Sequence, residues 1–151
     1  MSGLELTLER TFDAPREAVF EAWTNPEVMR RWWAAGIDWG TPTAEVDLRK
    51  GGRILVSMSE PDGKSVHTFS GEYIEVSPPE RLVFTVDWEG EEGEGAVSTL
   101  TVEFHEDGDR TRVVLTNTGL ASEEARASHE DGWRECLDNL DRRVFGQGAM
   151  A

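Results

Sequence analysis

A chain of 151 residues is sized for one domain, able to bury about two thirds of its unfolded surface. Thirty acidic residues against fifteen basic ones give a formal net charge of −15, which argues against nucleic acid and anionic membrane surfaces as partners. One cysteine, Cys136, allows no internal disulfide and no Cys/His metal spacing, and no apolar run or leader pattern marks a membrane span or a signal peptide, so a cytoplasmic protein is expected.

Leu4, Leu6 and Leu8 alternate with Glu5, Thr7 and Glu9, the period of a half-buried strand that runs to about Phe12. Pro15 suits the first position of a helix, where its missing N–H costs nothing. Ala18, Val19, Ala22 and Trp23 give that helix an apolar stripe. Asn25-Pro26 caps and restarts the pattern, which continues through Val28, Met29, Trp32 and Trp33. The spacing therefore predicts two short helices end to end, kinked between Thr24 and Pro26. Gly36 to Pro42 follows as a loop holding Trp39.

From there the chain reads as β. Strands are predicted at about Thr43–Leu48, Arg53–Ser59, Val66–Val76, Arg81–Trp88, Val97–His105 and Thr111–Asn117. Gly51-Gly52, Asp62-Gly63, Pro78-Pro79 and Asp107-Gly108 supply turn chemistry between them. Glu89 to Gly95, acidic and glycine-rich, is read as the loosest joint. Short joints imply an antiparallel meander. Ile54, Val56 and Met58 share one face with Phe69, Gly71 and Tyr73, with Leu82, Phe84, Val86 and Trp88, with Leu100, Val102 and Phe104, and with Val113 and Leu115. A sheet with one apolar face needs a cover.

The last long segment, about Ser122 to Phe145, can supply that cover. His129, Gly132, Trp133, Cys136, Leu137, Leu140 and Val144 recur at helical spacing. Ser122 is a suitable N-cap, Glu123 and Glu124 suit the positive end of the dipole, and Arg142 and Arg143 the negative end. Gly146 is expected to end the helix. At about 1.5 Å per residue such a helix spans roughly 35 Å.

The order β-α-α-β-β-β-β-β-β-α resembles the helix-grip fold of the START and birch-pollen-allergen superfamily. Arg10-Thr-Phe-Asp-Ala-Pro15, Val19-Phe20-Glu-Ala-Trp23-Thr-Asn-Pro26 and Arg31-Trp32-Trp33 resemble motifs of the activator of heat shock protein 90 ATPase C-terminal-domain-like family. So do Asp47-Leu-Arg-Lys-Gly51-Gly52, Gly71-Glu-Tyr73, Pro78-Pro79-Glu80-Arg81-Leu82 and Gly132-Trp133. The match covers about Leu6 to Val144. It implies an α+β helix-grip domain over residues 1–151, a curled antiparallel sheet wrapped around the long C-terminal helix. It also implies a cavity between the two. Similar proteins hold apolar small molecules there, serve as chaperone accessories, act as polyketide cyclases or dehydratases, or pair with small transcriptional repressors. The co-chaperone itself carries a further N-terminal domain with no counterpart in this sequence, so the resemblance does not extend to full ATPase activation.

Six tryptophans are many for this length, and such rings either line a pocket or fill a core. Trp23 reads as core. The candidate ligand-binding set is Trp32, Trp33, Trp39, Val56, Met58, Phe69, Tyr73, Trp88, His129 and Trp133. His129, one turn before Trp133, either points into the cavity or makes a core hydrogen bond. His67 and His105 read as solvated rings, Cys136 as a small hydrophobe on the buried stripe, and Glu75 as a possible polar contact in the core-facing register. No positioned acid or base can be assembled, so no catalytic residue, metal or cofactor is expected. The leading expectation is a non-catalytic binding domain for a hydrophobic or aromatic molecule, as monomer or homodimer. A module that docks a chaperone or a repressor protein is the alternative, and a cyclase-like enzyme the third.

Overall fold

The computed structural model describes residues 4–33, 39–62, 64–88, 97–120 and 122–145. The expected endings at Gly146, the Glu89–Gly95 joint, part of the Gly36–Pro42 loop and Gly63 lie outside them. Along the chain run β1 (Leu4–Phe12), α1 (Arg16–Thr24), α2 (Pro26–Trp32), β2 (Gly40–Val46), β3 (Arg53–Ser59), β4 (Val66–Ser77), β5 (Arg81–Trp88), β6 (Val97–Asp107), β7 (Arg110–Leu120) and α3 (Glu123–Arg143). The seven strands form one antiparallel sheet in the order β1-β7-β6-β5-β4-β3-β2. β1 reaches the far edge because α1 and α2 carry the chain across before the meander begins.

Alternation builds the core. On β6, Leu100, Val102 and Phe104 are buried while Thr99, Thr101 and Glu103 are only partly covered. The same rhythm buries Ile54, Val56 and Met58 on β3 and Leu82, Phe84 and Val86 on β5. Each such side chain removed from water contributes about 1.5–3 kcal/mol, so the inward face holds the sheet to its cover. Register at the β4–β5 pair shifts between Tyr73 and Glu75. Past that bulge Val76 faces Leu82 and packs against the core. Glu75 therefore turns outward, where it accepts from Ser77 Oγ at 2.9 Å and Arg81 Nε at 3.2 Å. Its expected inward position is corrected by that one inserted residue.

The helix ends follow their caps. Pro15 sits one position outside α1, as its N-cap, and its carbonyl accepts from Ala18 and Val19. Asn25 separates α1 from α2, its side chain accepting from the Glu27 N–H at 3.0 Å. Ser122 Oγ accepts from the Ala125 N–H at 3.1 Å and starts α3. The buried residues of α3 are Trp133, Cys136, Leu137, Asn139 and Leu140. From Glu123 to Gly132 none is buried. The covered half is also the tethered half. Arg10 Nη2 meets Asp138 Oδ1 at 2.7 Å, and Arg31 Nη2 donates to the Arg143 carbonyl at 2.8 Å.

Candidate functional site

Under the C-terminal half of α3 the interior is filled. Trp23, Trp32, Trp33 and Trp133 pack on one another, with Trp32 stacked on Trp33 at 5.0 Å and 24° and Trp23 edge-on to both. Trp23 and Trp33 lie 6.2 and 5.9 Å from Trp133. Trp32 Nε1 donates to the Ala22 carbonyl at 2.9 Å. Trp23 Nε1, Trp33 Nε1 and the Tyr73 hydroxyl are buried without a hydrogen-bond partner among the described residues. Burial pushes the Tyr73 phenol well above its ordinary pKa.

Beyond Trp133 the packing opens into a recess of about 240 Å³. Three kinds of wall bound it. The sheet contributes Met58, His67 and Trp88, which share its inward face because Met58 pairs with His67 and Phe69 with Trp88. The exposed half of α3 and its first buried turn contribute Ser128, His129, Gly132, Trp133 and Cys136. Trp39, just ahead of β2, closes a third side and stacks on the His67 ring at 5.7 Å and 19°. A Cβ on Gly132 would meet nothing within 4 Å, so the missing side chain is part of the space. A volume equal to about eight waters of ~30 Å³ suits a ligand of one or two rings, below the ~300 Å³ where drug-sized pockets begin.

Two polar groups of the recess are fixed by their bonds. His129 Nδ1 lies 2.7 Å from the Ala125 carbonyl oxygen. His67 Nε2 lies 2.7 Å from Glu60 Oε2. A carboxylate that orients an imidazole can hold a general base. Here the His67 and Glu60 side chains are 49% and 36% exposed, so water competes for both.

Five of the ten residues expected at the site meet around this recess: Trp39, Met58, Trp88, His129 and Trp133. Trp32, Trp33, Val56, Phe69 and Tyr73 do not line it; all five have no exposed surface and are core. Position near an element end placed Trp32 and Trp33 on the rim, but α2 turns both beneath α3. His67, Ser128, Gly132 and Cys136 complete the lining. The signal for His67 was its register, two residues before Phe69 and so on the same face. For the other three it was spacing from His129 and Trp133 along one helix face. A second depression of about 400 Å³ lies on the outer face, among Arg53, Glu72 and Asp87. Apart from Val97 its walls are charged, hydroxyl-bearing or glycine residues, which suit an apolar ligand poorly.

A family model described as "Activator of Hsp90 ATPase homolog 1-like protein" matches residues 13–144. The chain belongs to this family. Its fold is likewise similar to solved structures. An AHSA1-like protein from Aeromonas hydrophila is 32% identical, with a TM-score of 0.81 over 96% of this chain and 94% of that one. A protein from Arthrobacter aurescens is 26% identical, with a TM-score of 0.82 over 97% and 88%. The AHSA1 protein of Silicibacter pomeroyi is 27% identical, with a TM-score of 0.77 over 91% and 95%. No curated protein matches the chain. The family thus accounts for the architecture, and a shared scaffold does not by itself fix an activity. Among the described residues, no helix is long and apolar enough to cross a membrane.

Proposed function

We propose that the protein is a non-catalytic binding domain for a compact apolar or aromatic molecule, held in the recess between Trp39, Trp88 and Trp133. The observation that carries this reading is an aromatic-walled space of about 240 Å³ with a glycine where a helix side chain would fill it. Large rings supply apolar contact area and lose few rotatable bonds, so a ligand stacked among them gains much from burial. Titration calorimetry with one- and two-ring aromatic compounds tests it. Binding is expected in the native chain and should vanish in Gly132→Leu, whose side chain occupies the space. A set of such compounds that all fail to bind at millimolar concentration overturns the reading.

Family membership supports a second reading, a chaperone-accessory module. A formal charge of −15 would draw it to a basic surface. Retention on immobilised heat shock protein 90 at low salt is the expected result, and no retention ends the idea.

A further inference from the structure

Resting on the binding reading above, we infer that the recess selects aromatic molecules able to donate a hydrogen bond, such as phenols and azole N–H compounds, and that imidazole nitrogens accept it. The argument begins with His129. A carbonyl oxygen only accepts, so the 2.7 Å bond to Ala125 requires the proton to sit on Nδ1. In the neutral ring Nε2 is then a bare acceptor. His67 reaches the same condition by its other nitrogen. The Glu60 carboxylate accepts from Nε2–H at 2.7 Å, which leaves Nδ1 bare. Neither bare nitrogen has a hydrogen-bond partner among the described residues. In its neutral form each ring spends its one proton on the protein, and the other nitrogen is left as an acceptor.

The surroundings select shape as well. Trp39 and His67 stack nearly parallel and bring aromatic surface to one corner of the recess. Gly132 leaves the helix wall without a side chain. A planar ring fits such a slot, and a hydroxyl or N–H on its edge finds an imidazole nitrogen. Ser128 and the indole N–H groups can donate, so acceptors on the ligand also find partners. The distinguishing feature is the pair of acceptors, which a hydrocarbon or an ether leaves unused.

Calorimetric titration of the native chain with 1-naphthol, 1-methoxynaphthalene and naphthalene tests this. The three have similar rings, and only the first donates a hydrogen bond. Naphthol is expected to bind roughly three- to tenfold tighter than its methyl ether, the range of one net hydrogen bond. The double variant His67→Phe/His129→Phe should narrow that preference to near unity, and the two single variants show how it is shared between the rings. Equal binding of naphthol and the ether by the native chain overturns the inference and leaves the binding reading standing. So does a preference that survives in the double variant. Failure of all three probes to bind overturns both.

Discussion

The two halves of α3 cover two different interiors. The C-terminal half lies on Trp23, Trp32 and Trp33 and is itself buried from Trp133 to Leu140, apart from a few outward positions. The N-terminal half, Glu123 to Gly132, buries nothing and stands over the recess. Both interiors are walled by tryptophan, so the residue type does not separate filled from open. What separates them is the size of the facing residue. Trp133 meets two indoles, whereas Gly132 just before it brings no side chain to the recess.

The largest way to test that contrast is to truncate one ring in each region. Trp33 has no exposed surface and contacts Trp23, Trp32, Phe69 and Trp133. Trp33→Ala should cost about 3–5 kcal/mol, the range for a buried aromatic that leaves a cavity. Trp39 is half-buried and stacks mainly on His67, so Trp39→Ala should cost about 1 kcal/mol. Urea unfolding of both variants checks this. Equal losses would mean that the recess is as tightly packed as the core.

A smaller effect is expected at Gly132 and should have the opposite sign. Glycine inside a helix is about 1 kcal/mol less favourable than alanine, and the added Cβ meets open space. Gly132→Ala should therefore raise stability by up to about 1 kcal/mol while shrinking the recess and weakening ligands that fill it. A rise in Tm together with reduced aromatic binding is the expected pair of results. Tyr73→Phe probes the filled side at a similar scale. Its hydroxyl is buried without a partner among the described residues, so removing it should be neutral or stabilising by about 1 kcal/mol. A marked loss in thermal melting would show that the hydroxyl is bonded after all.

The fold was legible in the sequence because strand alternation and helix spacing are local signals. The bounds of β1, β3 and β5 agree with the sequence reading to the residue, and so does the Ser122 cap. Glu75 was misplaced because a bulge resets alternation and leaves no mark on composition. The site was half legible. Trp39, Met58, Trp88, His129 and Trp133 follow from face assignment, whereas the fate of Trp32 and Trp33 depends on how α2 docks under α3. Nothing in the order of residues says which of two tryptophan clusters interlocks. His67 had the right register, but its place near a strand end made it read as a solvated ring, and its ring is half exposed.

The smallest expected effect concerns what holds the uncovered half of α3. Arg126 bonds Glu123 at 2.6 Å and Glu130 at 2.8 Å, and Arg134 bonds Glu130 at 2.6 Å. The Arg126 hydrogen bond holds the Glu123 carboxyl below its usual pKa; Arg134, and then Arg126, do the same for Glu130. A carboxyl depressed in this way stabilises the fold above its unfolded value of about 4.5. That contribution is lost as the pH falls through the lower, folded value. These groups are exposed or only partly buried, and water screens them, so the whole domain should barely register the change. The local effect should be visible, since no buried side chain anchors these turns. Backbone NMR shifts on acidification below about pH 4.5 should move toward coil values from Glu123 to Gly132, with Trp133 to Leu140 unchanged. Arg126→Met should bring the same drift at neutral pH. If the shifts instead move together along all of α3, the helix responds as one unit, and the recess is covered as firmly as the core.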